Sequence, residues 1–182
     1  LFQSSSSRST WTGNVRAFAL GADGGVGAPP LWQAAERIPA AASRTIFTAT
    51  PAATGVDFLW SALPAAMKEK FGEGATGEAT VNFLRGDQSR ERANGGTFRD
   101  RLARLGAIVN SELAFAGADD FGYAALPGTE GSSYPTFMQA KATRRQLVIA
   151  AANDGMLHGF DAATGNERFA YVPRAPVVQP IS

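Results

Sequence analysis

Near the C-terminus the pattern of apolar and polar positions is at its clearest. Three short runs suited to strands, Leu147–Ala152, Met156–Phe160 and Glu167–Val172, are separated by Asn153-Asp154-Gly155 and by Asp161-Ala162-Ala163-Thr164-Gly165. Both separators are rich in residues that accept turn or left-handed conformations. Three strands joined by two tight turns make an antiparallel meander, the unit from which propeller blades are built. One meander cannot bury both of its faces, so the rest of the chain is expected to supply neighbouring sheets.

The N-terminal part has a similar pattern. In Trp11–Leu20 the residues Trp11, Gly13, Val15, Ala17 and Ala19 share one strand face, against Thr12, Asn14, Arg16, Phe18 and Leu20. A turn at Gly21–Gly25 and a delay at Pro29-Pro30 precede a second strand, Leu31–Ala34. Gly13-x-Val15-x-Ala17-Phe18 can be laid on Gly155-x-Leu157-x-Gly159-Phe160, each followed by a turn containing Gly and Asp, as a repeated β unit would show. A third strand is expected at Arg44–Ala49.

Residues 57–105 change character and read as a helical insertion. Leu63–Phe71 is rich in helix formers, with Pro64 in the first turn and Gly72 as its stop. Glu78–Arg85 predicts a short helix closed by Gly86, and Thr97–Leu105 a helix with Phe98, Leu102 and Leu105 on one stripe. The strand pattern resumes at Ile108–Ser111 and Leu113–Ala116. Gly117–Ser133 reads as a loop, and Tyr134–Ala140 as one helical turn. The fold class is therefore mainly β with a helical insertion, a partial β-propeller.

Composition narrows the function classes. The 182 residues suffice for one core, and a formal net charge of +1 gives no reason to expect a nucleic-acid or membrane-surface partner. No run of apolar residues is long enough to span a membrane as a helix. The absence of Cys excludes disulfides, thiolate metal sites and a Cys nucleophile. The first residues, Leu1–Arg8, do not form a signal peptide, and the chain reads as a mature product or an excised piece.

Three features could carry chemistry. His158, the single histidine, has Asp154 and Asp161 as its nearest carboxylates in sequence. As a ligand or general base it would need partners; at mid-strand it reads instead as a hydrogen-bonded core residue. Asp154-Gly155 and Asp161-x-x-Thr164-Gly165 are similar to repeats of quinone-cofactor propeller enzymes. Their physical need is turn geometry, with Asp accepting backbone N–H bonds and Gly supplying positive φ. Arg85-Gly86-Asp87 is an integrin-type tripeptide and the one candidate for receptor binding. Its structural reading makes Gly86 a helix stop, Asp87 a turn initiator and Arg85 a local partner. The Arg90–Arg104 basic run reads as a solvated helix face, with Glu91 and Asp100 at hand for ion pairs.

Several separated blocks then agree with one family. Trp11-x-Gly13, Trp32-x-Ala34 and Leu84-Arg85-Gly86-Asp87 are followed by Phe98-Arg99-x-Arg101-x3-Leu105-Gly106-x-Ile108-x-Asn110-Ser111. The last block runs Asn153-Asp154-Gly155-Met156-Leu157-His158-x-Phe160-Asp161-Ala162-x-Thr164-Gly165-x-Glu167-x-Phe169-Ala170-Tyr171-Val172-Pro173. Together they resemble the start of the C-terminal propeller domain of the PilY/PilC proteins, tip-associated adhesins of type IV pili. In this light Asn153, Asp154, Gly155, His158, Asp161 and Gly165 are a structural signature. The resemblance implies that 1–182 is the N-terminal portion of a propeller domain, a fragment of a longer protein.

The resemblance implies a non-enzymatic role in pilus assembly, twitching motility and adhesion, at the pilus tip or outer-membrane surface. It implies partners among minor pilins or other pilus proteins, and a host-cell receptor. The family's calcium loop, with Asp at alternating positions, has no counterpart here; only Asp119-Asp120 comes near, and no cofactor is expected in this segment. Ala107 stands where an acidic residue is common, and Glu112-Leu113 replaces a Pro-containing step. The alternative is a fragment of a quinone-dependent propeller dehydrogenase.

Overall fold

A computed structural model describes residues 1–174 as two β-sheets with helices at their margins. The first sheet has the order β1 (Phe2–Ser7), β2 (Thr12–Ala17), β3 (Trp32–Gln33). The Ser-rich opening is thus a strand in its own right. Its placement comes from antiparallel pairing with β2, from Phe2↔Ala17 to Ser7↔Thr12, rather than from any apolar period of its own. The strand expected over Trp11–Leu20 begins one residue later and stops at Ala17, because Trp11 sits at φ 55 in the hairpin turn.

The second sheet collects strands from distant parts of the chain. After β4 (Ile46–Ala49) and β5 (Gly55–Asp57) come β6 (Ala114–Ala116), β7 (Leu147–Ala152), β8 (Met156–Asp161) and β9 (Glu167–Val172). Their spatial order is β5-β4-β9-β8-β7-β6. Consecutive strands β6 to β9 are antiparallel neighbours, which makes them a four-stranded up-and-down blade. The β4–β5 hairpin extends that blade, with β4 running parallel to β9. The meander read from the sequence is therefore the middle of a larger sheet.

Parity along the strands separates two sheet faces. Val148, Ala150, Met156, Phe160 and Ala170 are buried on one of them. At one end of this face Val15, Ala17 and Trp32 of the first sheet, with Ala34 just after it, close a core with Leu105 and Ile108. At the other end Ile46 and Phe58 meet Leu63, Met67, Phe71 and Val81. Burying a side chain of this size stabilises by about 1.5–3 kcal/mol each, so the two clusters dominate the cohesion.

Residues 57–105 carry α1 (Ala65–Lys68), α2 (Gly74–Arg85) and a 3-10 turn, Arg92–Asn94, in chain order between β5 and β6. The helix expected over Thr97–Leu105 does not form. Phe98 stacks on Phe83 at 4.5 Å and Leu105 is buried, but Leu102 is 79% exposed, so the presumed stripe is split. Arg101 does not lie on a solvated helix face either: its guanidinium rests 3.7 Å over the Phe83 ring and binds Glu91 at 2.7 Å. Those contacts hold the segment in an irregular, bent course. Conversely, the loop expected over 117–133 gives way at Gly128 to α3 (Gly128–Ala142), four turns where one was expected. Its Gly, Ser, Thr and Pro135 content hides it from propensity rules. α3 packs chiefly on the turn Tyr123–Ala125 through Tyr134, whose hydroxyl accepts the Phe121 N–H.

Candidate functional site

The signature residues occupy the two turns of the meander and the strand between them. Asp154 accepts the Met156 N–H at 3.1 Å and, on its other oxygen, the Gly106 N–H at 3.0 Å. Gly155 follows at φ +86, as the tight turn requires. Asn153 donates its N–H to Ala107, so this turn is stitched to the segment that links the helical region to the blade. Asp161 caps the second turn by accepting the N–H groups of Ala163 and Thr164, both at 3.0 Å. Its other oxygen takes Arg145 at 2.6 Å, which is the main reason its carboxyl lies below the usual range. Gly165, at φ +73, lies against the Trp32 ring, where a Cβ would come within 2.5 Å. Trp32 donates its indole N–H to Ala162, which fixes one sheet on the other.

His158 sits between these turns with none of its surface exposed. Its Nδ1 faces Glu167 at 2.8 Å and its Nε2 faces both Asp154 oxygens at 3.1 Å, while the ring stacks on Phe160. Burial pushes the imidazole pKa down, but the charges and hydrogen bonds of Asp154 and Glu167 outweigh it and raise the value to about 9. Burial pushes both carboxyls up; the imidazolium, with Arg44, more than offsets this and holds them below their ordinary values. A protonated His158 is thus a buried cationic bridge between β8 and β9, with no face left for a substrate.

The bridge continues outward. Arg44 grips Glu167 with two bonds of 2.7 Å and donates a third to the Arg85 carbonyl at 2.8 Å. Arg85 in turn donates to the carbonyls of Phe58, Ala41 and Arg44. Four charged side chains from β8, β9, the approach to β4 and the end of α2 therefore link blade to helix. Sequence reasoning missed Arg44 and Glu167, although a glutamate at the head of an apolar strand and an arginine just before another are the kind of signal that marks a buried pair.

Arg85-Gly86-Asp87 is placed by this network. Arg85 is only 4% exposed and points inward, Gly86 takes φ +107 as the C-cap of α2, and Asp87 accepts the Ser89 N–H and hydroxyl. A receptor reading the tripeptide needs Arg and Asp displayed together, and Arg85 is out of its reach. Arg85→Ala is expected to destabilise the fold by about 3 kcal/mol, since it leaves several buried carbonyls unpaired. Urea titration followed by tryptophan fluorescence measures it; an unchanged midpoint would return the side chain to the surface.

Asp119 and Asp120 are exposed, and Asp120 is engaged with the Gly122 N–H. Among the described residues no group of three or more His, Asp or Glu side chains is placed to hold a metal ion. Asp154 and Glu167 lie on opposite nitrogens of His158 and so do not converge. Asp154, Asp161 and Glu167 are committed to turns and ion pairs within the fold.

These features define a four-stranded blade of a β-propeller, with Asp154 and Asp161 bracing its two turns. The model of the PilY1 beta-propeller domain matches residues 105–180. The chain is 36% identical over 180 residues to the type IV pilus biogenesis factor PilY1 of Pseudomonas aeruginosa strain PAK, covering 91% of this chain and 15% of that protein. It is 39% identical over 171 residues to a PilY1 homolog of Xylella fastidiosa strain Temecula1, covering 91% and 13%. No solved structure matches. The chain belongs to the PilY1 family, and it spans about one seventh of the length of these relatives.

Proposed function

We propose that the chain is a structural segment of a type IV pilus biogenesis factor and performs no catalysis itself. The observation that carries this reading is the similarity of nine-tenths of the chain to proteins named for pilus biogenesis. The geometry supports it physically. The single histidine and the signature acids hold strands and turns together, which suits a rigid surface more than a reactive cleft. As part of the whole protein, the segment supports pilus assembly and, through it, twitching motility and adhesion. Its partners are minor pilins or other pilus proteins, with a host-cell receptor reached through some surface other than Arg85. The place of action is the pilus tip or outer-membrane surface; no helix among the described residues is long and apolar enough to cross a membrane.

Deleting the region that encodes this chain from its source genome tests the reading. The expected result is loss of surface pili and of twitching zones, restored by the intact gene. Normal piliation in the deletion strain would overturn it.

A further inference from the structure

The excursion between β6 and β7 carries a feature that neither the blade turns nor the buried ion network uses. A cleft of about 300 Å³ opens where the end of β6, the loop after it and the C-terminal end of α3 meet. Its walls include Phe115 and Ala116 of β6, Phe121 of the loop, Lys141 of α3, and Arg144 and Arg145 just beyond the helix. Phe121 is 64% exposed, and Phe137, one turn before Lys141 on α3, is also open to solvent.

Aromatic rings rather than acids set the two cations of this helix end. Lys141 Nζ stands 4.7 Å from the centre of the Phe121 ring and 6.0 Å from that of Phe137, and it donates to the Asp119 carbonyl at 2.6 Å. The Arg144 guanidinium stands 5.3 Å from the Phe137 ring centre. A ring face orients a cation but does not cancel its charge. Among the described residues no carboxylate forms an ion pair with Lys141 or Arg144. The neighbouring acids are otherwise engaged: Asp161 takes Arg145 at 2.6 Å, and Asp120 accepts the Gly122 N–H at 2.8 Å. Asp119 is the carboxylate left in the cleft wall, set against Lys141 and Arg144. The end of a helix accounts for a cation nearby, but not for the ring faces and the open space in front of them.

The strand beside the cleft offers main-chain partners as well. β6 is the last strand of the sheet on this side and is exposed throughout; among the described residues no strand pairs with its outer edge. An extended peptide laid on such an edge gains main-chain hydrogen bonds, while pockets beside it select its side chains. We propose that the cleft binds an extended, acidic segment of a partner protein, which adds a strand to β6 and sets a carboxylate against Lys141 and Arg144. A lipid surface is the poorer occupant, because the exposed positions of α3 include Ser132, Ser133, Thr136 and Gln139 and give no apolar face to insert. A nucleic acid is poorer still: two free cations answer only two phosphates, on a chain whose formal net charge is +1.

Fluorescence anisotropy with the complete polypeptide, purified from its source cell, tests the assignment. The probe is a labelled short peptide of alternating glutamate and valine. It should bind, and more weakly as salt is raised, whereas the same peptide with glutamine for glutamate should not. Arg144→Met keeps an apolar stem over Phe137 without the charge and should weaken binding about tenfold; Arg144→Lys keeps the charge and should stay within about threefold. Arg8→Met, at an exposed arginine outside the cleft, should change nothing. Failure of the glutamate peptide to bind, equal binding of the glutamine peptide, unchanged binding by Arg144→Met, or equal loss in Arg144→Met and Arg144→Lys would each overturn the proposal. So would oligothymidine or phosphatidylglycerol vesicles that displace the peptide and depend on Arg144 as strongly as it does. A benzophenone analogue in place of Phe121 should join to the added peptide; joining instead to a distant part of the same polypeptide would show the cleft already filled and overturn the proposal too.

Discussion

Arg44→Met is expected to be the most damaging single substitution in this domain, costing about 3–5 kcal/mol. Arg44 is 5% exposed and neutralises Glu167 with two bonds of 2.7 Å while capping the Arg85 carbonyl. Met fills most of the volume but supplies neither charge nor donor. Glu167 would then remain buried with His158 as its sole cation, and the α2 end would lose its tie to the sheet. Urea denaturation read by Trp32 and Trp60 fluorescence checks the cost. A double-mutant cycle with Glu167→Gln isolates the pair, with an expected coupling of about 1–3 kcal/mol because the two groups share one network. A loss below about 1 kcal/mol for Arg44→Met would show that the network is worth no more than a surface ion pair.

That network also shows where sequence reasoning stops. The partners Arg44 and Glu167 stand 123 residues apart, and only the parallel pairing of β4 with β9 brings them together. Nothing local announces a parallel neighbour for a strand that looks like the end of a meander. By contrast Leu147–Ala152 and Glu167–Val172 form strands with the boundaries expected, because turn residues bracket them and their phase is imposed by burial on one face. The turns were legible for the same reason: Asp161 and Gly165 perform locally what their chemistry allows.

Misreadings arose where local pattern and tertiary contact disagree. Phe98, Leu102 and Leu105 have helical spacing, yet the Phe83 ring and Glu91 capture Phe98 and Arg101 and leave Leu102 in solvent. The Ser run has no apolar period, but its backbone completes a ladder with β2. α3 has poor intrinsic propensity and an internal Pro135, and is steadied by Tyr134 against Tyr123 and Phe137. In each case the deciding contacts include a partner outside the run of residues whose local pattern was read.

The second large effect is a dependence of stability on pH that one residue controls. The His158 pKa stands at about 9 in the folded protein, against an ordinary 6.5. A raised pKa means the folded state holds the proton more tightly than the unfolded one. The contribution is therefore complete below pH 6.5 and is lost as pH rises through about 9. Over that window stability should fall by roughly 3 kcal/mol, given about 1.4 kcal/mol for each pH unit of displacement. On the acid side the signs reverse. Asp154 and Glu167 titrate below their ordinary values of 3.8 and 4.5, so their contributions are present above those values and fade as pH drops further. The profile should thus show a plateau bounded by a carboxylate limb and an imidazole limb. Because His158 is the only histidine, its ring protons give a single titration in NMR, with an expected midpoint near 9. His158→Gln should be less stable at neutral pH and should lose the alkaline fall while keeping the acid one. A midpoint near 6.5 in the folded protein would mean that Asp154 and Glu167 do not hold the proton, and the cationic bridge between β8 and β9 would have to be abandoned.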